Sequence, residues 1–462
     1  MIPPGAPIVT AAQMRAAEAE AFRFATQLEV MERAGAAVAR EAARFALGRP
    51  ILVLAGPGNN GGDAYVAARL LKARGHDVTV AACGLPATDA AKAMLDAWDG
   101  PVSSLYEARP RPFLIDGLFG TGMTRPLERG VVAVFAELVS AAEFSMAIDL
   151  PSGIETDTGD NLGARKMNAT VALAALKPAH VLGRGLECSG HIVLADIGIP
   201  VQSQWQTVSR PALKTPGAQD HKYSRGLVVI VEGAMPGAAR LAARAAMASG
   251  AGYVMLAGPE ASDGPDALVH CAVNSGDDLG DLLKDERIGA VVIGPGLGRD
   301  RRGEGMLKAA LASTRPLILD GDALSLLGKS AAAWLQRRTA PSWLTPHSGE
   351  FERMFEGEGS KIDMTLAAAA AARCIILHKG ADTVIASYKG TMQAIPGGSR
   401  WLSTAGTGDV LAGILGAQVA ANQTHSTSAA AWLHARAAQL AGPAFIADAL
   451  IDHIPQALSE CL

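Results

Sequence analysis

The chain has 462 residues, of which 49% are hydrophobic and 5% aromatic, and a formal net charge of −4. This length predicts two or three domains, and the near-neutral charge without a basic block excludes nucleic acid and an anionic membrane as expected partners. The five scattered cysteines form no C-x-x-C pair and predict neither zinc nor a disulfide framework. The first element is a helix, since Thr10 and Gln13 have capping-box spacing rather than the features of a signal peptide. We expect a cytoplasmic protein without a membrane span.

The first half of the chain then alternates short apolar runs with longer alanine-rich stretches. Three of the runs end in loops of polar character: ILVLAGPGNNGGDAYVAARLL, FLIDGLFGTGMTRP and SMAIDLPSGIETDTG. This alternation predicts a parallel sheet with crossover helices. Because ligands bind outside the carboxyl ends of such strands, we expect the three loops to border one crevice.

Each of these loops also has a purely structural interpretation. A strand–glycine–helix turn is often only tight packing, and an aspartate at a strand end, such as Asp116 or Asp149, often only caps a helix. Three such loops in one half of the chain, each with Asp, Asn or Ser, favour a ligand site.

A linker separates two halves whose motifs differ. The stretch from Ile199 to Ser224 holds three prolines and many polar residues, without a sustained helical or strand period. We therefore expect a first domain over residues 1–205, a linker over 206–220 and a second domain over 221–462.

The second half repeats the pattern with more loops. Its strands and turns are predicted in LVVIVEGAMPGAARLAARAAMASGAGYVMLA, AVVIGPGLGRD, LILDGDAL, WLTPHSGEFERM, CIILHKGADTVI and STAGTGDVLAGILGA. All these loops can lie at one edge of a parallel sheet, where the carboxyl ends of the strands meet. Taken singly the residues are weaker signals, because His347 could simply cap a helix and Lys379 could be a solvated lysine. Cys374 is best explained as core filling.

The last of these stretches combines a glycine turn with an acid. Asp409 follows Gly406, Thr407 and Gly408 at the start of a helix, where amide groups and the helix dipole attract anions such as phosphate. A carboxylate at that point can remove a proton from an attacking hydroxyl. The turn therefore predicts a nucleotide held by its phosphates, with Asp409 acting on the acceptor.

Motifs of the first half carry a family resemblance. VMERAG, GPGNNGGDAYVAARLL, DGLFGTGM and DLPSG, within residues 8–200, resemble the NAD(P)HX epimerase domain of the NAD(P)H-hydrate repair enzymes, a Rossmann-like three-layer α/β/α fold. The resemblance implies Asp149 as the acid–base residue with Lys177 as its partner. It implies K⁺ held by Asn60, Asp116 and Ser152, whose hard oxygen ligands suit a hard cation. The residues implied to bind the hydrated dinucleotide are Asn59, Asn60, Gly61, Gly62, Asp63, Gly120, Thr121, Gly122, Met123, Thr124, Arg125, Pro126 and Asp149.

One position of that domain departs from the family pattern. Ala64 stands where the family usually has glycine. If the backbone there requires a positive φ, alanine is costly.

The second half resembles a different member of the same repair system. AGTGDVLAGI, GPGLGRD, TPHSGEFERM and KGADTVI, within residues 221–455, look like the ADP-dependent NAD(P)H-hydrate dehydratase, which has a ribokinase-like α/β fold. The residues implied to contact the adenine nucleotide are Lys379, Gly380, Ala381, Asp382, Thr383 and Gly408. Those implied to contact the hydrated substrate are Ala238, Gly298, His347 and Asp409. Glu232 stands where glycine is usual, and Tyr223–Ser224 replaces a common Gly–Asp.

The chemistry implied for this half is a phosphorylation that makes a leaving group. Asp409 would deprotonate the substrate hydroxyl for attack on the β-phosphate of ADP, with Mg²⁺ offsetting charge on the transferring group. Asp320 and Asp322 are candidate contributors around this site. Loss of phosphate, assisted by the ring nitrogen, then restores the double bond.

Together the halves predict repair of hydrated NADH and NADPH (NADHX and NADPHX). The first domain would interconvert the R and S forms, and the second would dehydrate the S form, giving AMP and phosphate. We also expect a homo-oligomer. An alternative is a ribokinase-like kinase of a vitamin precursor with a non-catalytic N-terminal binding domain; the sugar-kinase branch is disfavoured because no asparagine is followed by glutamate three residues later.

Overall fold

The computed structural model describes residues 2–259, 264–423 and 425–462. The chain divides into two compact units, Met1–Thr207 and Val208–Leu462. Each helix within the described residues is too short or too polar to cross a lipid bilayer.

The first unit alternates strands and helices along the chain. Its helices are α1 (Ala11–Ala21), α2 (Gln27–Ala46), α3 (Asn59–Ala73), α4 (Asp89–Asp96), α5 (Arg129–Ala141) and α6 (Gly183–Ser189). Its strands are β1 (Ile51–Ala55), β2 (Val78–Ala82), β3 (Val102–Ser104), β4 (Phe113–Gly117), β5 (Phe144–Ile148), β6 (Ala169–Leu173), β7 (His191–Ala195) and β8 (Trp205–Thr207). The predicted capping box is present at α1, where the Thr10 hydroxyl accepts from the amide of Gln13.

Strands β1 to β7 form one parallel sheet in the order β3-β2-β1-β4-β5-β6-β7. The chain leaves β1 toward β2 on one side and returns to β4 on the other. Loops at such a reversal point diverge and leave a crevice at the carboxyl ends of the strands. The fold therefore places the loops after β1 and β4 side by side.

Helices cover both faces of this sheet. Ile51, Val53 and Ala55 of β1 belong to a core shared with α2 and α3. Leu52 and Leu54 belong to a second core that includes residues of α5. Because successive strand residues point to opposite faces, this alternation establishes three layers, as predicted.

The second unit has the same general design around a longer sheet. Its helices are α7 (Pro236–Ala248), α8 (Gly276–Leu282), α9 (Arg301–Ala312), α10 (Gly321–Leu327), α11 (Ala331–Leu335), α12 (Ser348–Met354), α13 (Lys361–Ala372), α14 (Thr407–Ala420), α15 (Ser426–Ala441), α16 (Ala447–Asp452) and α17 (Ile454–Ser459). Its strands are β9 (Leu227–Val231), β10 (Tyr253–Gly258), β11 (Val269–Ala272), β12 (Ile288–Ile293), β13 (Leu317–Leu319), β14 (Ser342–Leu344), β15 (Ile375–His378), β16 (Asp382–Ser387) and β17 (Met392–Pro396).

These strands lie in the order β11-β10-β9-β12-β13-β14-β15-β16-β17. Neighbours are parallel as far as β15, and the β15–β16 and β16–β17 pairs are antiparallel. Alternate residues of β9 again divide between two cores. The predicted fold class, two α/β domains with parallel sheets, is confirmed.

The segment between the two predicted domains is more structured than its composition indicated. Residues 205–207 form strand β8. The Leu213 amide donates to the carbonyl of Cys461 at 2.9 Å, and Val208 and Leu213 pack against the core of the second unit. Apolar packing and a backbone hydrogen bond therefore hold part of this proline-containing segment on the second unit.

Candidate active sites

A cavity of about 430 Å³ lies at the carboxyl edge of the first sheet. We call it the first-unit cavity. The residues that line it from the loops after β1, β4 and β5 are Gly58, Asn59, Asn60, Asp63, Leu118, Phe119, Gly120, Thr121, Gly122, Met123 and Asp149. Lys177 and residues of α1 and α2, including Glu18, complete the lining. The structure thus brings together the three loops that the sequence predicted to share a crevice.

Some predicted residues lie elsewhere. Gly61 and Gly62 are buried in the first turn of α3, and a Cβ on Gly61 would lie 1.9 Å from the Gly56 carbonyl oxygen, so this glycine permits close packing of backbone. Residues 124–126 line a separate cavity of about 610 Å³ together with Tyr106 and Glu128. The loop of residues 120–126 therefore divides between two cavities.

Asp149 and Lys177 form a buried ion pair on the wall of the first-unit cavity. Their side chains are 8% and 1% exposed, and the Lys177 ammonium contacts Asp149 Oδ1 and donates to the Leu173 carbonyl at 2.9 Å. The Leu173 amide donates to Asp149 Oδ1 at 3.1 Å. Because a buried charge is tolerated only when it is paired and hydrogen-bonded, these contacts keep both groups in place beside the cavity.

His180 fixes the backbone of this pair. Its Nδ1 accepts from the Lys177 amide at 2.9 Å, and its Nε2 donates to the Asp149 carbonyl at 2.7 Å. Burial, followed by the Lys177 charge, lowers the pKa of His180 to about 4, so the ring is neutral at pH 7. Asp149 itself has a left-handed backbone, with φ 61°, a strained conformation for an aspartate that its neighbours must maintain. His180 was not predicted as a site residue, although its position three residues after Lys177 could have indicated it.

Two further carboxyl groups face the first-unit cavity. Burial, followed by the charges of Asp149 and Glu18, raises the pKa of Asp63 well above its usual value. Burial and the Asp149 charge also raise the pKa of Glu18. Glu18 carries no motif that would indicate a site residue, because it lies on α1, far from the loop motifs.

Asp116 and Ser152 lie buried at the strand ends, behind the cavity-lining loops. Asp116 accepts from the Ser152 hydroxyl at 2.6 Å and from the Ser152 amide at 2.8 Å. Burial raises the pKa of Asp116 to about 6, although these hydrogen bonds oppose the increase. Asn60 lies against the loop after β4: a Cβ on Gly120 would lie 3.0 Å from Asn60 Oδ1, and among the described residues the buried Asn60 Nδ2 has no hydrogen-bond partner.

Ala64 occupies an ordinary helical position. It is buried in α3 and is not among the residues with positive φ. The concern that alanine would strain the backbone here is therefore wrong for this chain.

A second cavity, of about 630 Å³, lies in the second unit. We call it the second-unit cavity. Its lining includes the predicted residues His347, Lys379, Gly380, Ala381, Thr383 and Gly408. Apolar side chains that the sequence did not identify form much of the remaining wall, namely Leu377, Ile395, Leu402, Leu411 and Ala431. Asp382 is turned instead to Lys361, whose ammonium donates to its carboxylate at 2.7 Å.

Lys379 is held by Asp320 at the edge of this cavity. The Lys379 ammonium donates to Asp320 Oδ1 at 2.8 Å, and the Thr345 hydroxyl donates to the same oxygen at 2.8 Å. Burial lowers the pKa of Lys379, but the Asp320 carboxylate outweighs burial and the pKa ends above its usual value. A Cβ on Gly408 would lie 3.2 Å from the Lys379 ammonium, so the lysine charge is beside the glycine turn.

The glycine turn begins α14 as predicted. Gly406 has φ 88°, and a Cβ there would lie 2.7 Å from Leu241 Cδ1, so both conformation and space require glycine. His434 Nε2 donates to the Thr407 carbonyl at 2.9 Å and holds the turn from α15. Burial lowers the pKa of His434 to about 4.

Asp409, in the first turn of α14, has a strongly perturbed carboxyl group. Burial, followed by the charge of Asp320, raises its pKa to about 7, against the opposing charge of Lys379. A catalytic base works best when its pKa lies near the working pH. Asp409 therefore has the proton affinity expected of a general base, on the helix that begins at the nucleotide turn.

Ala238 and Gly298 lie on neighbouring loops. A Cβ on Gly296 would lie 3.1 Å from Ala238 Cβ, which places the start of α7 against the loop after β12. Asp322 holds that loop by accepting from the Gly298 amide at 3.0 Å. The charge of Asp322 also raises the pKa of Asp409, so the residue that holds the Gly298 loop also acts on Asp409.

His347 combines the two interpretations left open by the sequence. It is the N-cap of α12, where its Nδ1 accepts from the Glu350 amide at 3.3 Å, and it also lines the second-unit cavity. Cys374 is 1% exposed in the core, as predicted. Glu232 is buried; among the described residues its Oε2 has no hydrogen-bond partner, and it lies 3.8 Å from His270 Nε2.

Comparisons with known proteins agree with this architecture. The family model described as NAD(P)H-hydrate dehydratase matches residues 228–459, and the one described as YjeF-related protein N-terminus matches residues 27–179. The chain is 36% identical to the bifunctional NAD(P)H-hydrate repair enzyme Nnr of Gloeobacter violaceus, over 94% of this chain and 93% of that protein. It is 33% identical to the enzyme of the same name from Mycobacterium tuberculosis, over 90% of each chain.

The solved structures give the fold of the second unit. A ribokinase-like superfamily protein from Enterococcus faecalis matches with a TM-score of 0.50 at 23% identity, over 57% of this chain and 98% of that one. Fold and sites thus define a two-domain α/β enzyme with a ribokinase-like second domain. The chain belongs to the family of bifunctional NAD(P)H-hydrate repair enzymes.

Proposed function

We propose that the domain of residues 1–205 interconverts the R and S forms of NADHX and NADPHX, and that the domain of residues 221–462 dehydrates the S form with ADP. The observation that carries the proposal is Asp409, a partly buried carboxyl whose pKa of about 7 makes it a base at neutral pH. It lies on the helix that starts at the glycine turn, and the charge of Asp322, which accepts from the Gly298 amide, acts on it. This arrangement serves transfer of a phosphoryl group to a substrate hydroxyl.

In the dehydratase, the adenine nucleotide occupies the second-unit cavity. The apolar wall suits an adenine ring, and the amides of the glycine turn with the Lys379 ammonium suit its phosphates. The residues assigned to this nucleotide are Lys379, Gly380, Ala381, Asp382, Thr383 and Gly408. The hydrated substrate is assigned to Ala238, Gly298, His347 and Asp409. Mg²⁺, when bound with the nucleotide, offsets negative charge on the transferring group.

The reaction then follows from the position of the base. Asp409 takes the proton of the substrate C6 hydroxyl, the oxygen bonds to the β-phosphorus of ADP, and AMP leaves. The resulting phosphate ester is a good leaving group. The lone pair of the ring nitrogen assists its departure as inorganic phosphate, and loss of a C5 proton restores the C5–C6 double bond.

In the epimerase, Asp149 is the acid–base residue and Lys177 its partner. Their ion pair lies on the wall of a cavity whose lining includes Asn59, Asn60 and Asp63, so a hydrated nicotinamide ring bound there meets a carboxylate with a fixed orientation. The loop residues Gly61, Gly62 and 120–126 are assigned to the same substrate. Gly61 and Gly62 contribute by shaping the backbone rather than by direct lining.

A potassium site in the same domain fits the residues present. Asn60 offers an amide oxygen beside Gly120 of the loop after β4, and the Asp116 carboxylate and Ser152 hydroxyl lie in contact with each other. Amide, carboxylate and hydroxyl oxygens are the ligands that a hard cation prefers. K⁺ held by these three residues would supply positive charge beside the loops that bind the anionic dinucleotide.

A single assay tests both activities. The enzyme is given a mixture of R and S hydrate with ADP, or with ATP in a parallel run, and the dihydronicotinamide absorbance and released phosphate are followed. We expect complete recovery of absorbance with one phosphate per turnover. In the Asp149→Asn variant, recovery should stop at the S fraction and continue only at the rate of spontaneous epimerisation. A phosphorylated product that persists would refute the dehydratase assignment and favour a small-molecule kinase.

The cytoplasmic location and the homo-oligomer expected from the sequence stay predictions.

A further inference from the structure

The first-unit cavity is lined by more carboxyl groups than the Asp149–Lys177 ion pair uses. Asp63, Glu18 and Asp149 all line it, with Lys177 as the partner of Asp149. Asp63 is 8% exposed, and within the part of the chain that the structure describes its carboxyl has neither a hydrogen bond nor an ion pair. Burying a carboxyl group without a hydrogen-bond or ion-pair partner costs folding free energy. We therefore expect the Asp63 carboxyl group to have a functional role.

Epimerisation at a carbon that carries a hydroxyl beside a ring nitrogen needs two protonic groups. One must give a proton to the departing hydroxyl, and the other must take a proton from the water that returns. Asp149 is fixed in the ion pair with Lys177, which suits an ionised carboxylate that accepts a proton. A second acid that reaches the same cavity from another element can supply the proton to the departing hydroxyl.

We infer that Asp63 is this donor: it protonates the departing hydroxyl of the hydrated ring, while Asp149 deprotonates the returning water. The inference rests on the proposed epimerase function. Asp63 enters the cavity from α3, which follows β1, and Asp149 follows β5. Strand β4 lies between β1 and β5, so the two acids reach the cavity from strands that are about 10 Å apart in the sheet.

Burial and the charges around Asp63 favour its protonated form. Asp149 and Glu18 are the negative groups that act on it, and Lys177 is the positive one. Burial and the two carboxylates together outweigh the lysine and raise the pKa of Asp63 well above its usual value. A carboxyl group whose surroundings favour its protonated form can act as a general acid near neutral pH.

The step balances without an oxidant or reductant. Asp63 gives its proton to the C6 hydroxyl, the C6–O bond breaks, and water leaves as the nitrogen lone pair forms a C6–N double bond. Water then adds to the opposite face of C6, its proton passes to Asp149, and the electron pair returns to nitrogen. Proton exchange with solvent resets both carboxyl groups.

The test compares three variants of the full-length chain. Asp63→Asn removes the proton at nearly constant volume, and Asp63→Glu keeps a carboxyl group. Asp89→Asn is the matched control, because Asp89 lies on α4 with a fully exposed side chain. Each protein receives one epimer without nucleotide, in ¹⁸O-labelled water, and the rates of epimer exchange and of ¹⁸O incorporation are measured between pH 6 and 10.

We expect Asp63→Asn to lower kcat for epimerisation about 100-fold or more, as for loss of a general acid, with KM changed only a few-fold. Wild type should lose activity at high pH as Asp63 ionises and should incorporate ¹⁸O during exchange. The variant should lack this alkaline decrease, and Asp63→Glu should recover part of the rate. Unchanged kcat with a raised KM would show a binding role only and overturn the assignment, as would epimer exchange in wild type without ¹⁸O incorporation. A wild-type protein that exchanges no epimers would refute the epimerase function itself.

Discussion

Replacing Asp409 with asparagine should inactivate the dehydratase while making the second unit more stable. The carboxylate is partly buried and near the charge of Asp320, which together raise its pKa from 3.8 to about 7. A shift of roughly three pKa units corresponds to about 4 kcal/mol by which the folded state disfavours the ionised form. Asparagine has nearly the same volume and no charge, so the variant avoids this cost.

The sign of the effect depends on pH. Below pH 3.8 the carboxyl group is protonated in both folded and unfolded chains, and it costs nothing. Between pH 3.8 and about 7 the unfolded chain releases the proton and the folded chain keeps it, so the stability of the wild type falls as pH rises. Above pH 7 the full cost is present. The advantage of Asp409→Asn should therefore grow by about 2–3 kcal/mol between pH 5 and pH 8.5.

Urea unfolding followed by tryptophan fluorescence can measure this, because Trp343 lies buried in β14 of the second unit. Asp452→Asn, an exposed carboxyl group at the end of α16, is the control and should change stability little at either pH. The activity of Asp409→Asn on the S hydrate should fall about 100-fold or more. If Asp409→Asn raised the free energy of unfolding equally at the two pH values, or were less stable than wild type at pH 8.5, the ionised Asp409 carboxylate would not destabilise the folded state as described above.

Three further outcomes are expected. Lys177→Met leaves Asp149 as a buried charge without its partner, so it should destabilise the first unit by about 3–5 kcal/mol in thermal unfolding. The same variant should lose epimerisation but still dehydrate the purified S epimer. Because the pKa of Asp116 is about 6, activation of epimerisation by K⁺ should weaken as pH falls from 7.5 to 5.5; a K⁺ titration that gives equal affinities at both values would contradict this. Gly408→Ala places a methyl group about 3.2 Å from the Lys379 ammonium and should weaken nucleotide binding about tenfold in equilibrium titrations, whereas unaltered affinity would mean that nucleotide phosphates do not approach this turn.

Much of the fold could be predicted because it depends on local patterns. Apolar runs followed by glycine or aspartate predict parallel strands with loops at one edge, and Asp116 and Asp149 lie at that edge. The same reasoning predicted that the loops of Lys379 and Gly408 lie at one sheet edge, and both residues line the second-unit cavity. Strand order did not have to be known, because all carboxyl ends of a parallel sheet meet at one edge.

What could not be predicted depends on which strands are neighbours. The contact of Asp320 with Thr345 and Lys379 exists because β13, β14 and β15 are adjacent, and no spacing in the sequence encodes that order. The approach of Glu18 to Asp63 likewise depends on where α1 docks. Electrostatic tuning of a site is therefore harder to infer from sequence than the identity of its acids.

The cap of α12 fixes the tautomer of His347. Because Nδ1 accepts the Glu350 amide, the single proton of the neutral ring must lie on Nε2. A ligand that meets this histidine in the second-unit cavity therefore encounters a hydrogen-bond donor, which favours a phosphate or carbonyl oxygen over an amino group. Nitrogen chemical shifts of the imidazole ring would report this assignment directly, before any substrate is added.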